Sequence, residues 1–317
     1  DTTESAPIPW RINLGNIEAH QTHVVFRTVG DSIRVEGHVR DLMVDGGDVN
    51  LGAGIYKVEH LLIDADSLRY DRHYEPAVEG LDYNHLAFRP LCLDVENLYF
   101  KQEGTELSLD VKECAGREKS GLEVNSLTGN VQLDEKRLQA RGLNLITPDS
   151  SIQGNVDMDW SALTPDERGT MDIDLDATIG RSDLLTVAGR YLTPDIRGII
   201  PEDAITLSAK AHGNVDSIWV ERGRVMASPM ADAQFSGWMT NVLDADRLGI
   251  ALDMDMQTFD LSLVKKMLGL PASVRLPKMG VKGKTTMQGS KLLADLRLTQ
   301  GSGTATLKGT YDTKTED

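Results

Sequence analysis

Carboxylates spaced two residues apart are the first groups in this chain that could do chemistry. Asp172, Asp174 and Asp176 form one run, Asp157 and Asp159 a second, and Asp253 and Asp255 a third. On a strand, successive members of such a run share one side, about 7 Å apart. A facing pair of carboxylates is the machinery of glycoside hydrolysis. In all three runs the acids alternate with Ile, Leu, Val or Met, so they read as the wet side of amphipathic strands. A β-solenoid carbohydrate-active enzyme is the enzymatic alternative, and it would need the acids to converge in a polar cleft.

The other candidates are weaker. His20 and His23 lie close together, with His38 the next nearest. No Cys-x-x-Cys or His-Glu-x-x-His spacing points to zinc. The run from Asp45 to Gly52 has the flavour of a calcium-binding glycine-aspartate roll. Such a roll needs tandem copies, and a tight turn is the expectation. A Gly-x-Ser-x-Gly elbow and a Gly-x-x-x-x-Gly-Lys phosphate loop are both absent. No catalytic residue, metal or cofactor is expected, and the chain reads as non-enzymatic.

Cys92 and Cys114 lie in strand-like runs on either side of the turn Lys101-Gln102-Glu103-Gly104-Thr105. A hairpin centred on Glu103 would set the two cysteines opposite each other and allow a cross-strand disulfide. Alternation shifts phase near Asn97-Leu98, so two free thiols are the alternative.

Strands must position all of these residues. Apolar and polar residues alternate in Trp10–Leu14, Met171–Ala177 and Leu252–Met256, the period of a half-buried strand. A five-residue phrase, apolar-x-Gly-x-apolar, recurs around Gly129, Gly154, Gly189, Gly213, Gly237 and Gly309. An early copy surrounds Gly37 and a half-match ends at Gly289. The central glycines step by 25, 35, 24 and 24 residues from 129 to 237, and by 52 from 237 to 289. A fixed step of this size predicts a repeat architecture. Residues 260–269 read as a short helix, with Asp260 at its start and Gly269 at its end. The stretch from Thr193 to Pro201 reads as a loop. A polar break near 70–82 sets a soft boundary between N-terminal repeats over 1–75 and continuing repeats over 76–317, within what could be one continuous body.

Composition narrows the partners. The 317 residues hold 49 acids against 33 bases, a net charge of −16. That argues against nucleic acid and against a polybasic membrane patch. No apolar run reaches the length of a membrane helix, no signal peptide is present, and both ends read as cuts in a longer chain. Aromatic residues are 5% of the chain, few for a sandwich core or a membrane-barrel girdle. Leu, Val, Ile and Met dominate the apolar positions and would make a smooth lining. That lining suits acyl chains, and it suits a plain closed core equally. Sandwich, barrel and open trough all remain open on alternation alone.

Gly80-Leu-Asp-Tyr-Asn-His-Leu-Ala through Leu91-x-Leu93-Asp94-Val95 resembles TamB-like and AsmA-like envelope proteins, particularly the Bacteroidetes branch. So do Glu118-Lys119-Ser120-Gly121-Leu122-Glu123-Val124-x-x-Leu127-x-Gly129 and Leu143-x-Leu145-x-Thr147-Pro148-Asp149-Ser150-x-Ile152. Pro9-Trp10-Arg-Ile12-x-Leu14-x-x-Ile17 and Asp260-Leu261 look like further pieces of the pattern. The specific match covers residues 80–160. The resemblance implies a mainly β fold: an elongated antiparallel repeat sheet curled into an open apolar trough, with one or two short helices. It implies a periplasmic segment of an inner-membrane-anchored protein that moves phospholipid between membranes and supports outer-membrane protein assembly or secretion. A TamA-type barrel partner is implied, and no catalytic residue. On this reading the acyl-chain lining falls on Leu143, Leu145, Ile152, Val156, Met158, Ile173, Leu175, Leu252, Met254 and Met256. The alternative function is a structural or adhesive β-repeat module with a closed core.

Overall fold

The computed structural model describes residues 10–27, 33–228, 231–244, 246–258 and 278–312, with backbone alone for Asp195, Ile196, Ile199 and Tyr311. The helix expected over 260–269 lies outside the described residues. The chain is mainly β. Strand order equals chain order through sixteen strands of one sheet, and it does not return on itself. The chain divides into two compact units, residues 1–153 with 182–193, and residues 154–181 with 194–317. The soft boundary expected near residue 75 falls within the first unit, in the loop after β3.

The first unit carries β1 (Arg11–Arg27), β2 (Ile33–Asn50), β3 (Ile55–Arg72), β4 (His85–Lys101), β5 (Glu106–Glu118), β6 (Glu123–Leu133) and β7 (Arg137–Ile146). Each pairs antiparallel with the next. A tight buried row, Val39–Ala65–Leu91, crosses β2, β3 and β4. The glycine-aspartate stretch at 45–52 forms the end of β2 and a tight turn. There Asp48 accepts from Arg11 Nε at 2.9 Å and Asn50 Oδ1 accepts from Ala53 N–H.

β8 (Ser151–Asp159) carries the division between units. The second unit continues with β9 (Met171–Ile179), β10 (Ile205–Asn214), β11 (Ser217–Ala227), β12 (Ala231–Thr240), β13 (Gly249–Thr258), β14 (Met279–Gln288), β15 (Lys291–Gln300) and β16 (Gly303–Asp312). From β9 onward each ladder is antiparallel to the next. Between β9 and β10 lie α1 (Arg181–Ala188) and α2 (Pro194–Ile199). Two expectations are corrected there. Gly189 does not sit in a strand but in a 3₁₀ turn after α1, and the stretch after Thr193 is helical rather than loop. An apolar-x-Gly-x-apolar phrase fits one helical turn as well as a strand, so the phrase alone did not separate them.

The remaining phrase glycines explain the step. Gly129, Gly154, Gly213 and Gly237 stand on β6, β8, β10 and β12, so the repeat is a pair of strands. Their φ values, 148°, 149°, 131° and 137°, lie where residues with a Cβ are rarely found. The next member is Gly283 on β14, at φ 147°, in Val281-Lys-Gly-Lys-Thr285. Gly289 is instead the turn between β14 and β15. A Cβ on Gly154, Gly213, Gly237 or Gly283 would stand 2.0–2.1 Å from a carbonyl oxygen of the following strand. Gly309, on the last strand, has nothing within 4 Å.

Candidate functional site

In the second unit the register joins the apolar positions of eight strands into continuous rows. One row runs Leu175, Ala209, Gly223, Phe235, Met254, Gly283, Leu296, Leu307. Its neighbour runs Ala177, Leu207, Val225, Ala233, Met256, Val281, Leu298, Ala305. Ile173 and Leu252 occupy a third row. Each strand contributes alternate residues, so a residue and its cross-strand partner point to the same face. Gly154 approaches Leu175 across the sheet, which places Val156 and Met158 on that face too.

These residues are half-buried rather than sealed. All ten positions expected to form the lining have intermediate exposure. Seven of them, Val156 to Met256, belong to the second unit. Leu143, Leu145 and Ile152 belong to the first, where Leu145 pairs with Leu127 and Leu143 lies against Gly129. Few large apolar side chains are sealed from water among the described residues, and the buried ones are mostly Val, Ala and single Leu or Met. An apolar face of eight strands left half-open is more than a soluble surface usually presents without a partner.

The opposite face accounts for the acid ladders. Asp255 meets Lys282 at 2.9 Å, Asp295 meets Lys308 at 2.8 Å, and Asp174 meets Arg222 at 3.6 Å. Asp253 lies 3.7 Å from Lys284. These are cross-strand ion pairs on the wet face, not paired acids poised over a cleft. Among the histidines, His20 Nδ1 meets Asp41 at 2.7 Å, and His23 stacks on His38 with ring centroids 4.6 Å apart. No cluster of three or more His, Cys, Asp or Glu suited to a metal occurs among the described residues.

The disulfide is not formed. Leu93 faces Cys114 and Cys92 faces Ala115, so the two side chains leave opposite faces of the sheet. Both are free thiols, and burial pushes each thiol pKa up. The hairpin departs from the simple count at its turn: Lys101 pairs with Glu106, which centres it between Glu103 and Gly104, and the two later ladder shifts on either side of Asn97 cancel.

Sequence reasoning missed what the family-like segments do. Asp82 is 2% exposed and accepts from Val78 N–H, Asn84 N–H and His85 Nδ1 at 3.0–3.1 Å. Burial alone would raise its pKa, but these donors outweigh it and hold the carboxyl below its usual range. Glu118, also 2% exposed, accepts from Ala87 N–H at 2.9 Å and Ser120 N–H at 2.6 Å. In Thr147-Pro-Asp-Ser150 the Ser150 hydroxyl donates to Asp183 of α1 at 2.6 Å. Thr186 O of the same helix accepts from Leu81 N–H at 2.9 Å. The motif residues therefore tie turns and dock an insertion. Their signal was an acid followed within three residues by turn-forming residues, which by itself does not locate the donor. Asp183→Ala removes the acceptor for Thr147 and Ser150. It should cost about 1–2 kcal/mol and open 181–193 to limited proteolysis before the strands unfold.

Comparison with protein-family models, with curated proteins and with solved structures returned no match. No helix among the described residues is long and apolar enough to cross a membrane.

Proposed function

We propose that this chain is a non-enzymatic module of a TamB-like or AsmA-like envelope protein that carries phospholipid acyl chains along the apolar face of its sheet. It works in the periplasm, between inner and outer membranes, and supports outer-membrane protein assembly or secretion beside a TamA-type barrel. One observation carries the reading: the half-open apolar face that continues unbroken from β9 to β16. The family-like segments at 80–160 add the cellular setting.

The mechanism is desolvation without fixed attachment. Each methylene taken from water gains roughly 0.8 kcal/mol. A row of Leu, Met, Phe and Ala offers almost the same gain at every step, so a chain slides along it over low barriers. Charged side chains that would pin the chain are confined to the opposite face of these strands, and the polar groups among this face's apolar residues are uncharged, such as the hydroxyls of Thr258 and Thr285.

Met254 is the test position, because it is half-buried between Phe235 and Gly283. Met254→Glu that denies an acyl chain about two methylenes of contact should weaken binding by about tenfold. Native mass spectrometry should find phospholipid on the wild-type protein purified from a bacterial periplasm, lost in Met254→Glu with the β circular dichroism retained. A lipid-free wild type that binds no apolar fluorescent probe would overturn the reading and leave a structural or adhesive scaffold.

A further inference from the structure

A concavity of about 660 Å³ lies in the first unit, lined by β2 to β5 and the turn after β5. Its lining includes the short side chains of Ser67 and Ala87, together with Gly37, Leu68 and Phe88 of the row beside Val39–Ala65–Leu91. Register puts Glu36, Arg69 and Ala87 in one cross-strand row and His38 beside Ser67 in the next. Across β4 and β5, Lys119 N–H bonds to Ala87 O and Phe88 faces Glu118, which brings Arg117 and Lys119 alongside Arg89 and Ala87. Four long side chains of the lining, Arg69, Arg89, Arg117 and Lys119, are permanent cations.

The acids nearby are already engaged. Glu36 pairs with Arg34, and its pKa is lowered: burial opposes the shift, and the Arg34 and His23 contacts overcome it. Asp71 pairs with Arg69 and Glu123 with Arg117. Glu118 is spent on two backbone N–H groups. Among the described residues, the Lys119 ammonium donates to the backbone carbonyl of His85 and to no carboxylate. Arg89 has no carboxylate partner among the described residues. A second concavity of about 440 Å³ shares Arg69 and adds Arg27, Arg34, His73 and His85. In a chain of net charge −16, this end of the unit reverses sign. A concave cationic patch of this kind concentrates anions, and guanidinium forks match the paired oxygens of a phosphate.

We infer that this pocket binds a phosphate group, either in the headgroup of a lipid or in a free phosphorylated small molecule. Arg89 makes the principal contact, Arg117 and Lys119 flank it, and the Ser67 hydroxyl donates. The site belongs to the first unit and shares no residue with the apolar rows of β9 to β16.

Calorimetric titration of the full chain with glycerol 3-phosphate tests the inference, with flotation on phosphatidylglycerol or phosphatidylcholine vesicles as a second arm. Wild type should bind glycerol 3-phosphate, and Arg89→Gln should bind at least about tenfold more weakly. Arg224→Gln, an ion-paired arginine on the wet face of the second unit, should match wild type. Lys119→Gln should weaken binding too. All three variants should keep the wild-type unfolding midpoint and apolar-probe binding, which separates this site from acyl-chain carriage. Flotation with phosphatidylglycerol alone, lost in Arg89→Gln, assigns the lipid headgroup. Binding of glycerol 3-phosphate without flotation assigns a free ligand. No binding of either probe, or equal loss in Arg89→Gln and Arg224→Gln, overturns the proposal.

Discussion

Gly237→Ala should lower the stability of the second unit by about 3 kcal/mol, from backbone strain and overlap together. Gly237 is buried at φ 137°. An added Cβ would stand 2.1 Å from Ala251 O and 3.0 Å from Leu252 Cα. Both are backbone atoms of β13, so no side chain can swing aside. Relief requires β12 and β13 to part where Val220, Gly237 and Leu252 form one apolar row. Gly309→Ala is the control. It has the same sequence phrase but nothing within 4 Å, and should shift stability by less than about 0.5 kcal/mol. Urea unfolding of the two variants gives the comparison. Equal effects would mean that the phrase, rather than the following strand, creates the requirement.

Glu118→Ala should cost the first unit about 3 kcal/mol, since it strips two buried backbone N–H groups of their acceptor. The loss should depend on pH. Burial raises the Glu118 pKa, but hydrogen bonds from Ser120 and Ala87, with the Lys119 charge, outweigh it, and the net shift is downward. A carboxyl with a depressed folded-state pKa stabilises the fold above its unfolded value, and that contribution fades as pH falls through the folded value. Asp82 shifts in the same direction. The wild type should therefore lose stability below pH of about 4.3, and Glu118→Ala should show a shallower acid limb in unfolding experiments across pH 3 to 7. An unchanged acid limb would remove Glu118 from the account.

The strand content was legible because alternation is local: each strand displays its own inside and outside. Met171–Ala177 and Leu252–Met256 read correctly without any partner strand. The acids between them are the wet face, and ion pairs such as Asp255–Lys282 confirm that placement. The glycine step was legible too, though its cause was not. Only the paired strands reveal that the following carbonyl leaves no room for a Cβ. Gly283 escaped notice because Thr285 stands where the phrase has a large apolar residue.

Register was not legible. Cys92 and Cys114 miss each other by one residue because the turn is centred between Glu103 and Gly104 rather than on Glu103, and a one-residue slip changes the face. Nor was the sealing of Asp82 and Glu118, whose polar character marked them for the surface. Backbone donors brought in from Val78 and Ala87 make their burial tolerable. The cations gathered beside Ser67 and Ala87 come from β3, β4, β5 and the turn after β5, so no stretch of chain displays them. Period, turn chemistry and net charge are properties of neighbouring residues, and they settled a mainly β, acidic, repeating chain. Register, buried hydrogen bonding and the gathering of like charges into one pocket arise between distant strands, and only the folded sheet decided them.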